Sequence, residues 1–200
     1  MNGPYASHFF EIPSVLAQNE PLRREVVRRV AGQPMPAKVL EGPGRPAALR
    51  RVLTDLLAPL QPPYTLDEAY LAAEAALPRA GCLHAQSNQV FAAGWAERLV
   101  RTELSVSYNQ TVLELVLAAG ESQVHVPPSP REDASSPCTL HLAGSTQDAE
   151  TLLRLLLQSY RQGRWQTALK VPNHPHCTHV VVPLIALGSG YGAGAAGTVR

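Results

Sequence analysis

Nothing in this chain is long and apolar enough to cross a membrane. The longest uninterrupted apolar run, Val180–Leu187, has eight residues, where a spanning helix needs about 20. No basic start precedes an apolar stretch at the N-terminus, so no secretory signal is read. Cysteine is scarce: Cys82, Cys138 and Cys177 are an odd number and lie far apart. That spacing argues against a disulfide framework and for reduced, mostly buried thiols, hence a soluble cytoplasmic protein. Charged residues are only 16% of the chain and the net charge is +1, which excludes a uniformly basic nucleic-acid coat. There is no internal repeat.

What is present suits a packed core. Apolar residues make up 45% of 200, and 18 prolines punctuate them. This length fits one domain, or one domain with a small appendage. Charge is unevenly spread: residues 1–51 carry eight Lys/Arg against four Asp/Glu, and residues 52–200 carry nine against twelve.

The N-terminal third reads as helical. Residues 1–12 form an arm or edge strand anchored by Phe9, Phe10 and Ile12. Leu22, Val26 and Val30 recur every fourth residue from Pro21 to Val30, and Gly32 closes that helix. Residues 33–46 are a loop. Leu49, Val52, Leu53, Leu56, Leu57 and Leu60 form one face of a second helix from about Pro46 to Leu57. Thr65-Leu-Asp-Glu68 is a capping box opening a third helix to Leu77.

Beyond residue 88 the period becomes two. Val100, Thr102, Leu104, Val106 and Tyr108 alternate with Arg101, Glu103, Ser105 and Ser107, the pattern of a half-buried strand. Later runs, Leu113 to Leu117 and Val124 to Val126, extend this to an antiparallel meander over 89–127. Further strands are expected near 138–143, 165–171 and 178–187, and a helix capped by Ser145 over 145–162. Residues 127–137 read as a mobile loop and 188–200 as a flexible Gly/Ala-rich tail. The expected fold is α+β. It divides into a basic helical region 1–80, a sheet domain 81–187 and the tail.

One segment carries a competing reading. Ala96–Asn109 (AERLVRTELSVSYN) resembles a helical segment in minor head proteins of Mu-like phages, which carry an Arg-Thr-Glu core followed by Tyr-Asn. The resemblance covers 14 residues and implies a helix within 88–104. The downstream Cys and His features of that family do not fall in place here. Ser105, Val106 and Ser107 are also poor helix formers, so the strand is the reading taken.

Three functional readings follow, in order of weight. The first is a non-catalytic binding or assembly protein acting through protein–protein contacts or self-association. Its contact surface would be a sheet edge near 99–108 or the apolar face of helix 46–58. The second is a nucleic-acid-binding accessory protein. Arg23, Arg24, Arg28 and Arg29 form a ridge able to neutralise phosphates, joined by Lys38, Arg45, Arg50 and Arg51. Arg161, Arg164 and Trp165 add a stacking and phosphate-contact element. The third is a metal-binding protein using His174, His176, Cys177 and His179, since imidazole and thiolate are the ligands zinc prefers. No cofactor is expected apart from zinc under that third reading, and no catalytic residues are assigned. Glu132 and Asp133 lie in the loop and lack a partner specified by spacing. Gly192-Ala-Gly-Ala-Ala-Gly197 matches GxGxxG in form, but no helix follows to face a pyrophosphate.

Overall fold

The computed structural model describes residues 3–59, 64–163 and 168–184. Seven α-helices surround or support a three-stranded antiparallel sheet among these residues. The fold is α+β with a helical N-terminal region.

After a 3-10 turn at Phe9–Glu11 come α1 (Ile12–Gln18) and α2 (Glu20–Gly32). The amide oxygen of Asn19 accepts from Leu22 N–H at the start of α2. A 3-10 turn at Lys38–Leu40 leads to α3 (Arg45–Leu56); the expected face is buried from Leu49 to Leu57, and Leu60 lies outside the described residues. The capping box at Thr65 is complete: its hydroxyl accepts from Glu68 N–H, and the Glu68 carboxylate accepts from Thr65 N–H. It opens α4 (Leu66–Ala76). The expected arm is therefore irregular over residues 3–8 and helical from Phe9, with Phe9 and Ile12 buried.

The meander is overturned. Residues 89–94 are turns and Trp95–Ala118 is a single helix, α5, that runs through the core against α2, α3, α4 and α7 (Ala149–Gln162). The resemblance over Ala96–Asn109 implied a helix in this region; it begins at Trp95. Alternation misled because α5 is enclosed on nearly every side. Arg101, Glu103, Ser105, Ser107, Asn109, Gln110 and Thr111 are all buried with the aliphatic residues between them. A helix buried all round shows no 3.6-residue stripe, and packing overrides the modest propensity penalty of Val, Ser and Thr. Two of the polar side chains find partners inside the helix: the Thr111 hydroxyl donates to Ser107 C=O, and the Asn109 amide donates to Ser105 C=O.

The sheet is small, in the order β2-β1-β3. β1 (Gln123–Val126) pairs with β2 (Ser145–Asp148), and β3 (Val182–Pro183) lies on the other side of β1. The expected strand 138–143 is instead a short helix, α6 (Pro137–His141), because Ser136 caps it and Pro137 occupies its first turn. The helix expected over 145–162 loses its first residues to β2. Asp148, not Ser145, is the N-cap of α7 and accepts from Thr151 N–H. Residues 168–171 form no strand, and among the described residues 178–184 only β3 is strand. Residues 165–167, 185–187 and the tail 188–200 lie outside the described residues. Among the described residues, no helix is long and apolar enough to cross a membrane.

A candidate metal centre at the C-terminal crossing

Residues 173–181 are held by the Phe9 turn and by α5. Phe9 N–H donates to Thr178 C=O. The Arg101 guanidinium donates to His176 C=O from α5. Val181 N–H donates to the Asn109 amide oxygen, also on α5. A turn closed by Cys177 N–H to His174 C=O presents both side chains of His174-Pro-His-Cys177 to one spot.

Two other segments meet that spot. Cys138, in the first turn of α6, is fully buried. Glu132 comes from the loop expected to be mobile, yet its side chain is only 6% exposed. Its Oε2 accepts from Thr178 N–H at 2.6 Å and from the Thr178 hydroxyl at 3.0 Å. The loop is thereby docked, and Oε1 is left to face His174.

The ligand atoms of Glu132, Cys138, His174 and Cys177 all lie within 4.8 Å of one another. The two Sγ atoms are 3.9 Å apart, Cys138 Sγ is 3.5 Å from His174 Nε2, and Nε2 is 3.4 Å from Glu132 Oε1. Zinc bonds run about 2.3 Å to sulfur and about 2.0–2.1 Å to nitrogen or oxygen. A tetrahedron with those arms separates S from S by about 3.8 Å, S from N by about 3.6 Å and N from O by about 3.4 Å. Three measured edges match that figure.

Electrostatics favour a cation here. The Cys138 thiol is pulled far below its ordinary range, first by the hydrogen bond from Cys177 and then by those of His174 and His179. The Cys177 thiol is pushed up, chiefly because it donates to Cys138 and also through burial. His174 is raised by its hydrogen bond to Cys138, helped by the charges of Cys138 and Glu132. The ligand atoms of these side chains and of Glu132 surround a space that one divalent ion could occupy.

Of the four residues put forward for a metal, His174, His176, Cys177 and His179, the structure brings two into the cluster. His174 and Cys177 converge. His179 stands behind them, with Nδ1 3.8 Å from Cys177 Sγ and 3.9 Å from Glu132 Oε2. His176 is not among the converging residues; its carbonyl binds Arg101. Cys138 and Glu132 join the cluster without having been among the expected residues. A His-x-x-Cys knuckle was the available signal for the first pair, whereas no spacing rule joins Cys138 to it across 36 residues.

The arginine ridge is internally paired over much of its length. Arg23 and Arg24 bind Glu20, Arg28 binds Glu25, and Arg29 reaches Thr111 and Glu114 on α5. Arg50 donates to Val30 C=O and Gln33 C=O. Arg45 is buried and donates to the carbonyls of Val39, Leu77 and Pro78. Lys38, Arg51 and Arg161 are not drawn into this group by any of these contacts. Arg164 and Trp165 lie outside the described residues.

No family model matches this chain. Nor does any curated protein or solved structure. The reading of the site rests on its own geometry.

A second buried polar site lies between α5 and α7. Glu103, 1% exposed, accepts from the Tyr160 hydroxyl. The pair lines a cavity of about 490 Å³ with Lys38, Trp95, Arg98 and Pro175. Burial pushes the Glu103 carboxyl up to about 7, against opposing effects from Tyr160 and Arg50. The folded chain therefore holds this proton at pH values where an ordinary carboxyl near 4.5 has lost it. The stabilisation is complete below the unfolded value and is lost as pH rises through about 7. Glu103→Gln, a neutral mimic of the protonated group, is expected to remove that fall. Unfolding free energies at pH 5 and pH 8 check this: the wild type loses a few kcal/mol relative to the variant, and parallel pH curves would contradict it.

Proposed function

We propose that this chain is a zinc-binding protein. Its Cys138–Cys177–His174–Glu132 centre clasps the loop before α6 and the segment leading to β3 onto the helical body. The observation that carries this reading is the agreement of the S–S, S–N and N–O separations with a zinc tetrahedron. Two further features support it. Glu132 is oriented by Thr178, as outer partners commonly orient a metal's ligands. Four protein ligands fill four positions, the composition of a structural rather than a catalytic zinc site.

The protein-contact reading loses the surfaces first suggested for it. Residues 99–108 are inside α5 and not on a sheet edge, and Leu49, Val52, Leu53 and Leu56 are covered within the core. Elemental analysis of the untagged full chain is the test. About one zinc per chain, removable by a strong chelator with loss of thermal stability, is expected from the coupling of structural metals to folding. Substoichiometric metal that fails to rise on zinc addition overturns the reading.

A further inference from the structure

We propose that Cys138 and Cys177 are also a reversible oxidation site, which a small peroxide joins as a disulfide. The release of metal that follows rests on the zinc reading; the disulfide itself does not. Both thiols are reduced in this structure, and their sulfurs stand 3.9 Å apart. A disulfide needs about 2.0 Å, with Cβ atoms about 3.5–4.5 Å apart, so each sulfur has to travel only about 1 Å. They sit on separate segments, a short helix that follows a loop and a turn before β3. Cys82 provides a contrast, since its thiol donates instead to Lys38 C=O.

Access is restricted by size. Cys138 and Cys177 are 0% and 1% exposed, and the one partly open ligand is His174, whose side chain is 33% exposed. With the thiols this enclosed, the oxidant proposed is a small peroxide rather than a bulky disulfide reagent.

The chemistry balances with peroxide as oxidant. One thiolate sulfur attacks a peroxide oxygen, the O–O bond breaks, and a sulfenic acid forms while the other oxygen leaves as hydroxide and takes a proton from solvent to become water. The second thiolate attacks that sulfur, the S–S bond forms, and the sulfenic oxygen leaves as hydroxide, which takes a second solvent proton to become a second water. Two electrons pass from the two sulfurs to peroxide. Zinc stays divalent and loses two of its four ligands, because a disulfide sulfur is no substitute for a thiolate.

The experiment treats the zinc-loaded full chain with hydrogen peroxide. Metal release is followed with a chromogenic indicator, and thiols by alkylation and peptide mass spectrometry. A peptide linking Cys138 to Cys177 is expected, lighter by two hydrogens, with one zinc freed per linkage and both changes reversed by dithiothreitol. Cys82→Ser should behave as the wild type, and Cys138→Ser should give no linkage. Sulfinic or sulfonic acid at either residue without linkage overturns the proposal. So does retention of both thiols and the metal, which would leave the zinc reading intact. Linkage in a chain that holds no zinc would support the pair and remove the metal centre.

Discussion

Cys177→Ser is expected to abolish zinc binding and to lower the unfolding temperature by about 8–16 °C. The size follows from linkage. A metal present at about 1,000 times its dissociation constant contributes about 4 kcal/mol to the folded state, and for a chain of this size each kcal/mol moves the midpoint by about 2–4 °C. Cys138→Ser and His174→Ala should act alike, because each removes one corner of the same tetrahedron. His176→Ala and Cys82→Ser should retain the metal, since neither side chain points into it. Elemental analysis and calorimetry of this set check the assignment residue by residue. Chelator-treated wild type should match Cys177→Ser; a variant much less stable than the stripped wild type would instead mean that Cys177 acts through packing alone.

Asn109→Ala is expected to destabilise the chain by roughly 2–4 kcal/mol. Its amide oxygen is the acceptor for Val181 N–H at 2.8 Å, and its NH2 group binds Ser105 inside α5. Truncation leaves a buried backbone donor unsatisfied, at about 1–3 kcal/mol, and adds a small void. The effect distinguishes two architectures. In a meander Asn109 would lie in an exposed turn, where substitution changes stability by less than about 0.5 kcal/mol. In the observed fold it is fully buried and ties the central helix to the approach to β3. Denaturant unfolding of the two proteins at one pH measures the difference.

Residues with strong local signals were legible in the sequence. The Thr65 box, the leucine face of α3 and the terminal Gly163 of α7 all act where their types predict, because capping and amphipathic burial are decided within a few residues. The central helix was not legible for the opposite reason. Its environment comes from α2, α4 and α7, and a polar residue such as Glu103 or Asn109 looks exposed until its distant partner is known. Short helix α6 was hidden likewise: Ser136-Pro137 is a good start signal, but the apolar spacing of Cys138, Leu140 and Leu142 also alternates in twos.

The metal centre divides along the same line. His174 and Cys177 were visible as a cluster because they are neighbours in sequence. Glu132 was dismissed as part of a mobile loop because composition describes that segment and does not reveal Thr178, which holds it. Cys138 has no local signal that joins it to the cluster, and its sulfur faces a residue 36 positions away.

X-ray absorption at the zinc edge of the purified, zinc-loaded chain tests the central claim most directly. The account predicts a four-coordinate ion with two sulfur neighbours at about 2.3 Å and two nitrogen or oxygen neighbours at about 2.0–2.2 Å. A shell without sulfur, or one of six light atoms, would contradict it.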